Sequence, residues 1–198
     1  VTFSEEPGGV ALQVSVAEPG VVVVAGAMGS GDTTGHESGA LIVSEIMYAA
    51  NDSEYIELYN PADRDTIFDT LVIDKDGSQR FYENITVPAK GRFVIGRTDL
   101  PWADTFHPVS SALDLSSTSG NWITVRSKAG AVIDWVAFAA RANDVGWPNP
   151  GSEKTAIVLD SVDVEAGYNN HGSNWSLAQT PINPLLTAQK GTPGEPGA

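Results

Sequence analysis

The chain has 198 residues, 41% of them hydrophobic, which is enough apolar surface to bury a core and excludes wholesale disorder. Eleven Lys and Arg against 25 Asp and Glu give 11 − 25 = −14, a balance that repels nucleic-acid phosphates and anionic lipid and favours cations and basic protein surfaces. With no cysteine, disulfides, thiol catalysis and thiolate metal sites are excluded, and no run of about 18 apolar residues is present to insert into a membrane as a helix.

The chain starts at Val1 without a Met or a basic-then-apolar leader, which reads as a processed product. Val10, Leu12, Val14 and Val16 alternate with Ala11, Gln13 and Ser15, the pattern of a half-buried strand. Glu18-Pro19-Gly20 marks a turn, and Val21, Val22, Val23 and Val24 then form a run that is apolar on both faces. Residues 26–39 are rich in Gly, Ser and Thr and read as a flexible linker, so the domain boundary falls at residue 39, with the main domain over 40–198. An apolar strand on such a tether cannot satisfy its own backbone and must join a sheet, either its own or that of a neighbouring copy. Val10, Leu12, Val14, Val16 and Val21 to Val24 are therefore candidate self-assembly residues, acting by β-strand addition into a dimer or filament.

In the main domain the pattern predicts strands at 41–48, 54–59, 67–73, 79–83, 91–96, 121–126, 131–138 and 155–159. Asp76-Gly77 and Ala129-Gly130 are hairpin-turn pairs. No window sustains helical periodicity beyond about two turns. Short strands separated by turns predict an all-β fold, a sandwich in preference to a barrel. Residues 139–153 and 160–198 read as irregular, and the collagen-like triplets of 191–198 are too few for a triple helix and read as a closing loop.

The order of these segments resembles the bacterial lamin-tail domain, an immunoglobulin-like β-sandwich. The resemblance rests on Ile42-Val-Ser-Glu-Ile-Met-Tyr48, on Glu54-Tyr-Ile-Glu-Leu-Tyr-Asn-Pro61 as the most specific piece, and on Val87-Pro-Ala-Lys-Gly-Arg-Phe-Val-Ile95. Gly130-Ala-Val-Ile-Asp-Trp-Val136, Asn174-Trp175-Ser176 and Gly191-Thr-Pro-Gly194 complete it, over roughly residues 41–197. Asp69-Thr70 stands where the family often has Gly-Trp, and residues 1–39 lie outside the match. The resemblance implies an immunoglobulin-like sandwich with an N-terminal strand extension. It also implies a non-catalytic module of extracellular or cell-surface bacterial proteins.

The residues themselves carry little chemistry. There is no Gly-x-Ser-x-Gly elbow and no phosphate-cradling loop, and His36, His107 and His171 all fall in predicted loops, so no catalytic residue or cofactor is assigned. Asp74 and Asp76, like Asp63 and Asp65, have the two-residue spacing of calcium loops, but Asp74 to Gly77 also fits a hairpin turn and lacks the downstream Glu. Glu45 and Glu57 are expected on the solvent face; the alternative, a carboxylate pair for glycoside hydrolysis, needs both in one cleft. Trp122 and Trp135 are expected in the core. Trp102, Trp147 and Trp175 are expected in loops, where they pack over sheet edges or form a carbohydrate platform. The expected function is a structural or adhesive module with protein partners, including further copies of itself; the alternative is a carbohydrate- or calcium-binding accessory module.

Overall fold

Alternation and turn chemistry do build strands. A computed structural model describes residues 38–48, 53–97, 100–106, 115, 121–138, 146–150, 154–161, 165–183 and 186–195, all within the unit His36–Ala198. The described strands are β1 (Ile42–Met47), β2 (Tyr55–Tyr59), β3 (Thr66–Lys75), β4 (Ser78–Val87), β5 (Arg92–Gly96), β6 (Thr105–Phe106) and β7 (Asn121–Ser127). They continue with β8 (Val132–Phe138), β9 (Lys154–Thr155), β10 (Ile157–Leu159), β11 (Trp175–Leu177), β12 (Pro181–Asn183) and β13 (Leu186–Lys190). Among the described residues there is no α-helix, only two short 3-10 turns at Tyr168–Asn170 and Gly172–Asn174. The self-assembly candidates Val10 to Val24 lie outside the described residues.

The strands form a six-stranded sheet in the order β11-β10-β1-β2-β5-β6, a four-stranded sheet β4-β3-β7-β8, and a small sheet β12-β13-β9. Ile46, Ile56, Leu58 and Ile95 of the large sheet share one buried cluster with Leu71, Ile73, Ile123, Val125 and Val136 of the four-stranded sheet. The fold is therefore an all-β sandwich. Burying each such side chain contributes about 1.5–3 kcal/mol, so this inner layer is the main source of stability.

Turn chemistry fixes the register. Asp76 (φ 49°) and Gly77 (φ 85°) form the two-residue turn that closes β3 on β4, with Lys75 opposite Ser78. Asn84 is also left-handed (φ 56°), a conformation Asn tolerates better than most residues. It accompanies a bend in which the pairs Phe68–Ile85 and Leu71–Tyr82 both face inward although they lie three residues apart, so β3 and β4 change face in step.

The large sheet is buried on its second face too. Met47, Tyr55, Val94, Ala156, Val158 and Ala178 form a second apolar cluster there, against which Trp102, Ala103 and Ile182 pack. This corrects the sequence reading of 160–198 as irregular: β11, β12 and β13 arise there, β11 extending the large sheet and β12-β13 forming the small one. Their three to five residues are too short to display alternation.

Candidate functional site

The second face of the large sheet holds its most unusual chemistry. Glu45 on β1 lies directly opposite Glu57 on β2, in a cross-strand row flanked by Val158 and Val94. Both are buried, at 1% and 2% exposure, which corrects the expectation that they face solvent. Their same-face neighbours explain this: Tyr55 and Tyr59 flank Glu57 along the strand and Met47 follows Glu45, so the face carrying these acids is itself apolar.

Buried carboxylates persist only when hydrogen-bonded, and here the chain's own donors occupy all four oxygens. Glu45 Oε1 accepts from the Tyr55 hydroxyl (2.6 Å) and the Thr192 amide (2.8 Å), and Oε2 accepts from Thr192 Oγ1 (3.0 Å). Glu57 Oε1 accepts from Ser44 Oγ (2.7 Å) and Arg92 Nε (3.1 Å), and Oε2 accepts from the Gly194 amide (2.8 Å). Arg92 stacks on the Tyr59 ring at 5.0 Å while pairing with Glu57. The segment 191–194 thus lies over both acids as a latch. Gly191 is required at its entry, because a Cβ there would meet the Tyr55 hydroxyl and stand 2.8 Å from Glu45 Oε1.

Burial pushes the Glu57 carboxyl up to about 7, reinforced by the Glu45 charge and opposed by Ser44, Gly194 and Arg92. Burial also raises Glu45, against the bonds from Tyr55 and Thr192. Tyr55 is held protonated by burial and by the adjacent Glu45 charge, which makes it a donor. A carboxyl that titrates near 7 resembles a general acid, but each of its oxygens already accepts from the protein, and acid–base work requires reach to a substrate proton.

A second buried network ties the sandwich together. Asp134 Oδ2, fully buried on β8, accepts from the Val43 amide (2.6 Å) and from Asn169 Nδ2 (2.7 Å). Asn169 Nδ2 also donates to the Val43 carbonyl, and the Asn169 carbonyl accepts from Trp175 Nε1 (2.8 Å). Beyond the β2 end, Asn60 Nδ2 donates to the carbonyls of Arg64, Val87 and Pro88, each at 2.9 Å.

The tryptophans exchange their expected roles. Trp175 is core, packed in a tilted contact with Trp147 at 5.8 Å, and Trp147 in turn lies 6.5 Å from Phe138. Trp102 packs on the second-face cluster, so these three form no exposed platform. Trp122 and Trp135, expected in the core, are instead exposed on the outer face of the four-stranded sheet. Inward positions on β7 belong to Ile123 and Val125, which leaves Trp122 with the outward set.

Asp74 and Asp76 serve the β3–β4 turn. Asp74 accepts from the Gly77 amide (2.9 Å) and Gln79 Nε2, and Asp76 accepts from the Trp122 amide (3.0 Å) and pairs with Lys75. Among the described residues no group of three or more His, Asp or Glu is placed to hold a metal. His171 is exposed between the two 3-10 turns; His36 and His107 lie outside the described residues. No protein-family model matches the chain, and no curated protein matches it.

Proposed function

We propose that the chain is a non-catalytic contact module, an immunoglobulin-like sandwich of lamin-tail type that works on or outside a bacterial cell. The observation that carries this reading is the latch: the place where two carboxylates, a tyrosine and an arginine converge is filled by residues 191–194 of the same chain. A site built for turnover keeps its acids open to substrate; this one uses them to fasten the fold.

The lamin-tail assignment draws support from where its segments meet. Ile42–Tyr48, Glu54–Pro61, Val87–Ile95 and Gly191–Gly194 converge on the Glu45–Glu57 pair, and Gly130–Val136 and Asn174–Ser176 converge on Asp134 and Asn169. The residues that carry the resemblance are thus the ones that hold each other in place. On this reading the N-terminal strands add to the sheet of a neighbouring copy and the function is assembly.

Two measurements test it. Glu45→Gln and Glu57→Gln are expected to change stability, with no hydrolysis of soluble glucans, xylans or chitosan by parent or variants in a reducing-end assay; turnover in the parent that disappears in either variant refutes the non-catalytic reading. Light-scattering mass measurement of the chain with and without residues 1–39 tests assembly, and a monomer in both refutes that part.

A further inference from the structure

The geometry points to the outer face of the four-stranded sheet as a docking surface for a lysine- or arginine-bearing polypeptide segment, an inference that rests on the contact-module reading and names its partner. The large exposed hydrophobics of the described residues are Ile67 (70%), Phe81 (60%), Trp122 (49%) and Trp135 (38%), and they stand one on each of β3, β4, β7 and β8. Single exposed apolar residues such as Ile67, at the far end of β3, need no explanation, but Trp122 and Trp135 side by side on β7 and β8, with Phe81 on the same face, mark an interaction surface.

Register places them. Phe81 is opposite Val72, itself opposite Arg126, and Val72 is buried although it points outward. Trp135 is opposite Thr124 and Trp122 opposite Ala137, so the two residues occupy diagonal positions across the strand pair, a spacing of roughly 7–8 Å. The charges set among them are mostly negative. Asp74 lies across from Thr124, the partner of Trp135, with Glu83 opposite Thr70 and the exposed Asp69 further along β3 and β4, and Arg126 brings a cation to the same face.

An aromatic face beside carboxylates suits one kind of side chain. Arg and Lys lay an apolar stem along a ring and bring a cation to both the indole face and the carboxylate, and tryptophan is the best aromatic partner for a cation. A neutral glycan could stack on the rings and hydrogen-bond the carboxylates but gains nothing from their net charge, and an anionic polymer is repelled. A second copy of this chain brings another −14, and residues 1–39 contain five acidic residues and no Lys or Arg, so neither of these supplies the cationic segment.

The test uses the full chain titrated calorimetrically with an alternating Arg-Gly decapeptide and, as control, its Glu-Gly counterpart. The Arg peptide is expected to bind, the Glu peptide not, and binding should weaken as the screening length falls from about 10 Å at 0.1 M salt to about 3 Å at 1 M. The double variant Trp122→Ala, Trp135→Ala keeps the net charge and is expected to bind at least tenfold more weakly, with Trp122→Ala alone intermediate and folding checked by melting temperature. Undiminished binding by both variants assigns the effect to overall charge and overturns the proposal, as does absence of binding. Retention of the chain on cellulose or chitin beads that the Arg peptide does not displace gives the face to a glycan and overturns it as well. None of these results touches the hydrolysis assay with the Glu45 and Glu57 variants, so the docking inference and the contact-module reading fail separately.

Discussion

The latch makes stability depend on pH in an unusual direction. Glu57 has an ordinary value of 4.5 and is raised to about 7 in the fold, so between those values the native chain binds a proton that the unfolded chain has released. Stability therefore falls as pH rises through this window, is unaffected by Glu57 below it, and is lowered by a constant amount above it. The difference, 7 − 4.5 = 2.5, corresponds to about 3 kcal/mol at about 1.4 kcal/mol per pH unit. The side chain is almost wholly buried, so solvent screening removes little of this. Glu45 is raised as well and adds in the same direction. Glu57→Gln holds position 57 neutral at every pH, leaving Glu45 to titrate, but cannot present an acceptor to Gly194 and to Ser44 and Arg92 together, a loss of about 1–2 kcal/mol. Urea unfolding at several values from about pH 5 to about pH 8 should show the parent losing about 3 kcal/mol, while the variant starts lower and declines less, so that the two curves converge or cross. General self-repulsion from the acidic surface acts on both chains and drops out of the comparison. A parent curve that is flat or rising over this range, or a variant with the parent's slope, would refute the reasoning.

Three further changes probe the fold around the site. Gly191→Ala should lift the latch away from Tyr55 and Glu45 at a cost of about 1–3 kcal/mol, read as a lower urea midpoint. Asn60→Ala removes the donor that reaches the carbonyls of Arg64 and Val87, while Pro88 keeps the Gly91 amide, and should cost about 1–3 kcal/mol in the same assay. Trp175→Ala should cost about 3–5 kcal/mol and Trp122→Ala about 0.5 kcal/mol or less, and thermal melts showing the opposite ranking would contradict the assignment of core and surface.

The sandwich was legible because eight of its segments carry either alternation or a both-faces apolar run bounded by turn residues. The segment read as one strand over 155–159 divides at Ala156, where the chain leaves the small sheet as β9 and joins the large one as β10. Nothing in the five residues Thr-Ala-Ile-Val-Leu signals that change of partner. The burial of Glu45 and Glu57 was readable in part: Tyr55 and Tyr59 share Glu57's face, and a carboxylate with aromatic neighbours two residues away on both sides is poorly placed for water. Three of the six donors to these acids, from Thr192 and Gly194, lie about 140 residues downstream in a segment that looks like a loop, and no local pattern joins the two. Trp122 shares its face with Thr124 and Arg126, a stronger guide than the size of an indole. Trp135 offered no such guide, because the inward set on β8 includes the polar Asp134.

The distance along the chain between Glu45 and Thr192, 147 residues, also has a meaning in time. At about 5–20 residues per second a ribosome takes roughly 7–30 s to travel from the first to the second. Throughout that interval β1 and β2, strands with almost wholly apolar sides, wait with two ionised groups facing water, and these charges discourage edge-to-edge association of nascent strands. The same pair that is costly to bury at the end thus keeps the half-made sheet soluble at the beginning, and a product truncated before Gly191 retains the protection but never receives its cover.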